Sequence, residues 1–362
     1  MIGNPPYMNV DSKSNYKNLK IYKDIADGVV NTASLFLYFA LSLLTAKNGI
    51  VSMIIPKSFF SVQSWKKIRN EILENMALIA INDVGKAFEK VGLEQGILVV
   101  SKRFKESNQV EVLNNFIFIN KISQKYFKEN EIILTSCNQK IFEILLKIEN
   151  NKILLGQFAE MPRGITEKSN AYEFKKSKTN LQVLGGTNIK KYCITDGNIR
   201  KPNRYIESAT ESLKSKKDIF SKERICYQNL MSSLPKIVAT IIQKETATDD
   251  TVNNLILNNS KYDYKFILSI LNSKLTTFYL KYKLLNCATL TVHLDKPYVG
   301  KLPLPTATPA QQQEIITLVD KILAAKKEDS SADTSVLEKQ IDTLVYKLYG
   351  LTDEEIAIVE GK

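Results

Sequence analysis

Residues 32–56 read TASLFLYFALSLLTAKNGIVSMIIP, and the order of signals within them decides the fold class. Leu35, Phe36, Phe39, Leu43 and Leu44 recur at helical spacing, which predicts a helix over 32–46. Lys47-Asn48-Gly49 stops it, as glycine commonly does just past a helix end. The apolar run 50–55, IVSMII, follows and is closed by Pro56. A short continuous apolar run of this kind predicts a buried strand of a parallel sheet. The helical run falls short of the roughly 20 residues that span a bilayer. A buried helix in an α/β core, in a cytoplasmic protein without membrane attachment, is the favoured reading.

The same alternation continues outward. Residues 64–76 predict a helix, and 77–84 (ALIAINDV) and 96–100 (GILVV) predict strands close enough to form a hairpin. Helix, strand, helix, strand points to an α/β sheet with crossover connections. Residues 109–120 predict a further strand pair and 137–149 an amphipathic helix. From about residue 156 the segments become short, turn-rich and lysine-rich, with turns at Gly185-Gly186 and Gly197-Asn198. Phe266, Ile267, Ile270, Leu271, Leu275, Phe278 and Tyr279 mark a helix over 264–282. The proline-punctuated stretch 301–309 (KLPLPTATP) reads as a linker into two helices, 310–327 and 334–349. Ile341, Leu344, Val345 and Leu348 form an apolar stripe, and Gly350 caps the end, so the two helices predict a hairpin.

Composition narrows the chemistry. The 362 residues carry 50 Lys+Arg against 38 Asp+Glu, a net charge of +12. That excess favours polyanionic partners such as nucleic acid. Four scattered cysteines and the single His293 exclude a motif-spaced zinc site. A Ser-His-Asp hydrolase has no nucleophile elbow to work with. Buried thiols in a reducing compartment account for the cysteines better than a disulfide framework does.

The sharpest local feature is Asn4-Pro5-Pro6-Tyr7. Two prolines stiffen a turn and remove amide donors, leaving carbonyls to face a cleft. An asparagine oxygen and a proline carbonyl together can accept both hydrogens of an amino group, and a tyrosine ring offers a stacking face. That set suits the exocyclic amine of a flat base held out of its duplex. On its own, the tetrapeptide is explained equally well by a plain Asn-Pro turn.

With its context (GNPPY, the LFLYFALSLL helix, then NGIVSMIIPKSFF), the segment resembles the gamma-class N6-adenine DNA methyltransferases, especially those of type IIG restriction–modification enzymes. The resemblance implies that Asn4, Pro5, Pro6 and Tyr7 form the catalytic motif. It also implies that Tyr7 stacks on a flipped adenine and that Phe88 packs against it. Arg163-Gly164-Ile165-Thr166 with Asn170-Ala171-Tyr172 and Phe174 resembles the opening of the family's target-recognition domain, with Glu167 where a second glycine is usual. Residues 184–192 (LGGTNIKKY), 271–275 (LNSKL) and 302–305 (LPLP) resemble its later blocks, and the C-terminal helices resemble the spacers of type I specificity subunits.

The implied fold is the C-terminal half of a Rossmann-like methyltransferase sheet, an α+β target-recognition domain and a C-terminal helical hairpin. Its modules are 1–150, a partial catalytic domain; 151–308, target recognition; and 309–362, a helical spacer. S-adenosylmethionine is the implied cofactor, yet no Gly-x-Gly follows a strand near Asn4. The expectation is therefore the C-terminal portion of a longer enzyme, inactive alone. Its missing N-terminal methyltransferase segment would be supplied in cis or as a separate subunit. Strand 50–55 would then have an open apolar edge, with a partner segment, a dimer contact or disorder around residues 1–30.

Double-stranded DNA is the expected partner. Lys175, Lys176, Lys178, Lys190, Lys191, Arg200, Lys201, Arg204, Lys214, Lys216 and Lys217 cluster in the recognition half, interleaved with Tyr172, Phe174, Tyr192 and Tyr205. Lysines there would hold phosphates and arginines would read guanine edges. A solvated face is the competing explanation for any single lysine. The alternative function is a non-catalytic DNA-specificity module; RNA methylation is a weaker third.

Overall fold

Alternate burial along residues 50–56 organises the first half of the chain. In strand β2 (Ile50–Pro56) Val51, Met53 and Ile55 are sealed from solvent, whereas Ile50 is half exposed. The computed structural model describes residues 1–10, 20, 25, 31–44, 49–89, 91–103, 107–151, 153–166, 181–196, 204–206, 215–231, 236–259, 261–288 and 292–362. Around β2 lie β1 (Ile2–Gly3), β3 (Ala77–Gly85), β4 (Gln95–Ser101), β5 (Gln109–Asn114) and β6 (Ile117–Ser123). They form one sheet in the order β1-β2-β4-β3-β5-β6. Strands β1, β2, β3 and β5 run one way, while β4 and β6 run against their neighbours. The predicted hairpin is the β3–β4 pair. The strand read as parallel pairs parallel with β1 on one side and antiparallel with β4 on the other.

The predicted open edge on β2 is corrected, because β1 covers part of it. Ile2 pairs with Ser52 and Gly3 with Met53. The edge thus passes to a two-residue strand, whose Ile2 is 89% exposed.

Helix α1 (Thr32–Phe39) starts where Asn31 accepts from the Ala33 amide, and it continues as a π turn over Ala40–Leu44. Its buried face is Ala33, Leu35, Leu37, Ala40 and Leu41, and Phe36 and Phe39 stand out in solvent. Helix α2 (Lys66–Asn75) buries Ile68, Ile72 and Leu73, and α3 (Gln124–Asn130) follows β6. Helix α4 (Gln139–Glu149) carries the boundary between two compact units. One comprises Met1–Glu143 with Lys281–Ala288; the other comprises Ile144–Leu280 with Thr289–Lys362. Segment Lys281–Ala288 belongs to the first unit because Asn286 is bonded there. It accepts from the Thr135 amide and donates to the Ile133 carbonyl.

The second unit holds short strands: β7 (Ile153–Leu154), β8 (Ala159–Glu160), β9 (Leu181–Leu184), β10 (Ile189–Lys190), β11 (Cys193–Ile194), β12 (Arg204–Ile206), β13 (Arg224–Gln228), β14 (Leu230–Met231), β15 (Ala239–Ile242), β16 (Ala247–Thr248), β17 (Val252–Leu257), β18 (Val292–His293) and β19 (Pro303–Leu304). The largest sheet has the order β15-β13-β17-β8. Its helices are α5 (Lys217–Phe220), α6 (Tyr264–Asn272), α7 (Lys274–Tyr279), α8 (Lys296–Val299), α9 (Pro309–Glu328), α10 (Ser335–Leu348) and α11 (Asp353–Val359). The helix predicted over 264–282 is broken at Ser273, whose side chain caps α7 by accepting from Thr276. The predicted linker is not one at its start. Pro303–Leu304 pairs with Ile153–Leu154 and is buried, and Tyr349 donates to the Pro303 carbonyl at 2.6 Å. Prolines fit there because β19 has a single partner, so a missing amide costs no ladder bond. Helices α9 and α10 pack together, and α9 also packs on α6, so the hairpin is part of the second unit by packing. Among the described residues no helix is long and apolar enough to cross a membrane.

Candidate functional site

Asn4-Pro5-Pro6-Tyr7 leaves the carboxyl end of β1, the edge of a sheet at which α/β proteins place their ligands. Pro5 is buried, Tyr7 is half buried, and Asn4 and Pro6 are exposed. The loop is held by its own side chains and by α1. Thr32 Oγ1 donates to the Pro6 carbonyl at 2.6 Å and accepts from the Met8 amide, and the Thr32 amide donates to the Met8 carbonyl. The Tyr7 hydroxyl lies 3.0 Å from Asn4 Oδ1 and 3.0 Å from the Ile54 carbonyl of β2. One proton serves one acceptor at a time, so donation to Ile54 leaves Asn4 Oδ1 able to accept from another donor. Burial raises the Tyr7 hydroxyl above its ordinary pKa, which keeps it a neutral donor.

Phe88 stands half buried beyond the end of β3, at the same carboxyl edge as Tyr7. Three strand spacings separate β1 from β3 in the sheet order, about 14 Å. The structure therefore puts Phe88 and Tyr7 on one edge, on loops that start apart.

Between them lies a cluster that sequence reasoning missed. Lys57, the residue after β2, is buried, and its Nζ lies 2.7 Å from Asp83 Oδ2 and 3.9 Å from Glu94 Oε1. Lys57 Nζ also donates to the Cys287 carbonyl at 3.3 Å. Asp83 accepts from Ser136 at 2.6 Å, Thr135 at 3.2 Å and the Gly85 amide at 3.1 Å. Burial pushes the Asp83 carboxyl up, but the Lys57 ammonium and these donors outweigh it and hold the group below its usual range. Asp83 and Glu94 flank the loop that carries Phe88, so the ion cluster fixes both ends of that loop. A cavity of about 650 Å³ opens on it, lined also by Asn114, Asn115, Lys281 and Tyr282. The available sequence signal was a polar pair, Asn82-Asp83, closing an apolar strand; its lysine partner is distant in the chain. Burial pushes the thiols of Cys287 up to about 11 and Cys226 up to about 12, so neither is primed as a nucleophile.

In the second unit the Arg163-Gly164-Ile165 segment lies on β16 and β17. Gly164 donates to the Val252 carbonyl and Ile165 to that of Thr248. A Cβ on Gly164 would sit 2.2 Å from the carbonyl oxygens of both Asp249 and Thr248, so only glycine fits. Arg163 forms a bidentate pair with Asp295. Arg224 is fully buried and bonds the Asn254 side chain and the carbonyls of Lys222 and Thr246.

The expected DNA contacts divide. Lys190 is exposed at the end of β10. Lys191 is about a third exposed, and its Nζ donates to the Asn272 carbonyl at 2.8 Å and lies 3.4 Å from Glu338. Arg204 lies in β12. Lys175, Lys176, Arg200 and Lys201 lie outside the described residues, as do Lys178, Lys214, Asn170-Ala171-Tyr172 and Phe174.

Residues 1–89 match the model of the Eco57I restriction-modification methylase, and residues 181–304 match that of the TaqI-like C-terminal specificity domain. A segment similar to a restriction–modification methylase is thus followed in this chain by one similar to a specificity domain. Its fold is shared with the type IIL restriction-modification enzyme MmeI, solved in complex with DNA, at a TM-score of 0.62 and 9% identity. That match covers 99% of this chain and 56% of MmeI. The chain thus spans about half the length of that enzyme. The type ISP restriction-modification enzyme LlaGI aligns at a TM-score of 0.49 and 10% identity, covering 90% of this chain and 41% of LlaGI. The type IIG restriction endonuclease BpuSI aligns at 0.39 and 14% identity, covering 94% of this chain and 53% of its own. No curated protein sequence matches the chain.

Methylases of this kind use S-adenosylmethionine, which is held in a cradle. Such a cradle needs a parallel strand running into a glycine-rich helix start. Here β1 leads to Asn4-Pro5-Pro6, β2 to Lys57, β3 to Gly85 in a loop, and β5 to Asn115 in a tight turn. Among the described residues the cradle does not fit.

Proposed function

We propose that this chain supplies the target-base loop and the recognition part of a site-specific N6-adenine DNA methyltransferase, of type IIG restriction–modification. The observation that carries this reading is the loop at the carboxyl end of β1. There Asn4 is exposed, and its Oδ1 is released whenever Tyr7 donates to Ile54 instead. An adenine turned out of its duplex would give its amino hydrogens to Asn4 Oδ1 and the Pro5 carbonyl, with the Tyr7 ring on its face and Phe88 against it. Those acceptors orient the nitrogen lone pair and offset the positive charge that develops as it is alkylated. No strong base is required of the protein.

Double-stranded DNA would lie on the recognition unit, with Lys190 and the predicted Lys175, Lys176, Arg200, Lys201 and Arg204 toward it. The functional modules would remain 1–150, 151–308 and 309–362. The methyl donor would be S-adenosylmethionine, held by a further methyltransferase segment in cis or as a separate subunit. Exposed Ile2 on the short edge strand, Ile50 of β2, and Phe36 and Phe39 of α1 favour such a segment. A non-catalytic DNA-specificity module is the second reading, and the poor fit of the described strands to a cofactor cradle favours it. Modification-sensitive sequencing of DNA from a strain carrying the whole gene separates the two. A methylated adenine at one recurring site supports the enzyme. Unmodified DNA supports the specificity module.

A further inference from the structure

The hairpin joining β5 to β6 turns through Asn115 and Phe116, with φ of +46° and +65°. Two left-handed residues in a two-residue hairpin call for Asn-Gly, and a phenylalanine in the second place is strained. The turn is nevertheless pinned. The Phe116 amide donates to Asn82 Oδ1 at 3.1 Å, and the Asn115 amide donates to the Asp83 carbonyl at 2.9 Å. The strain gains nothing in packing, since Phe116 is 73% exposed and its neighbours Ile117 and Phe118 are 68% and 58% exposed. A rigid, strained, solvent-facing aromatic is the signature of a residue kept for a partner.

The location identifies the partner. Strand β5 runs parallel to β3, and hence to β2 and β1, so this tip projects from the same carboxyl edge as Asn4–Tyr7. Five strand spacings separate β1 from β6, about 24 Å, which is about seven base-pair steps of duplex. Along that edge Asp83 and Glu94 are buried against Lys57, whereas Lys86 and Lys281 are exposed, with Glu89 as an exposed acid.

We propose that Phe116, flanked by Ile117 and Phe118, is an apolar wedge that enters the DNA duplex or its groove while the Asn4 loop holds the target base. The assignment rests on the DNA reading given above. It adds a second contact on the methyltransferase sheet, outside the recognition unit. Apolar side chains inserted at base steps are an established way of distorting a duplex.

The test uses the full chain with sheared unmethylated genomic DNA at low salt. Phe116→Gly relieves the turn, so its melting temperature rises by a few degrees. Loss of one base-stacking aromatic weakens DNA binding about tenfold. Phe116→Trp adds a reporter to a protein whose one tryptophan, Trp65, is buried, and its emission is quenched by DNA. Unchanged affinity in Phe116→Gly with no quenching overturns the wedge. Unchanged DNA affinity with loss of self-association in sedimentation overturns it in favour of a protein interface. If the unaltered chain binds no DNA, the DNA reading itself fails and the wedge with it.

Discussion

Replacing Lys57 by methionine tests whether the ion cluster at the carboxyl edge of the sheet holds the Phe88 loop. The side chains of Lys57 and Asp83 are only 9% and 6% exposed, at 2.7 Å from each other. Removing one partner of a buried pair costs about 3–5 kcal/mol, because the other charge is left in a poorly solvated place. Asp83 retains Ser136, Thr135 and the Gly85 amide, which places Lys57→Met near the low end, about 3 kcal/mol. In a unit of about 150 residues that lowers the melting temperature by about 6–12 °C. The double variant Lys57→Met/Asp83→Asn removes both charges and recovers much of the loss.

The pH dependence has a definite sign. Asp83 titrates lower in the folded protein than its ordinary value, despite burial, because of Lys57 and its hydrogen bonds. Its contribution is therefore present above the unfolded carboxylate pKa of about 3.9 and is lost as pH falls through the lower folded value. In Lys57→Met burial acts on Asp83 with less opposition, so its folded pKa rises, less stability is lost on acidification, and the gap between the two melting temperatures narrows toward pH 3. Thermal melts followed by circular dichroism between pH 3 and 7, a window set by that carboxylate range, read both effects. A single variant melting like the original protein refutes the reasoning, as does a double variant no more stable than the single one.

Other consequences are more local. Tyr7→Phe keeps the stacking face and frees Asn4 Oδ1 from its intramolecular donor, so methylation by the complete enzyme stays within about threefold, while Tyr7→Ala loses a stacking contact worth about 1–3 kcal/mol; steady-state methylation rates distinguish them. Gly164→Ala drives a Cβ into two backbone carbonyls, an overpacking of about 1–3 kcal/mol or more, seen as a lower melting temperature. Lys191→Ala removes an amine bonded to Asn272 and beside Glu338. It lowers stability while leaving the salt dependence of DNA binding unchanged, whereas a phosphate contact would reduce the salt slope by about one.

Much of the sheet was legible because its strands are short apolar runs bounded by turns. The β3–β4 hairpin and the β5–β6 pair lie where periodicity puts them. Helix α1 was legible as a helix but not in phase. Its residues are almost uniformly apolar, so no polar face marks the outside, and the π turn at Ala40–Leu44 shifts the register. Phe36 and Phe39 consequently emerge where burial was expected.

The stretch 302–305 misled because proline signals a break, whereas in an edge strand it needs no amide partner. Asn4–Tyr7 announced itself by residue type. The Lys57–Asp83–Glu94 cluster did not, since its members are joined across three strands and no local pattern encodes that meeting. Nor does local pattern send Lys281–Ala288 back to the first unit, where Asn286 binds the backbone of Ile133 and Thr135.

The central claim, that Asn4 is an acceptor for the target amine, is tested most directly by Asn4→Ala in the complete enzyme. Methyl transfer to DNA and DNA binding should be measured on the same preparation. The side chain is exposed and accepts from Tyr7, so folding and DNA affinity should be nearly unchanged. Loss of an acceptor that acts in the transition state predicts methylation lower by about 100-fold or more. Methylation retained with DNA binding intact would contradict the account.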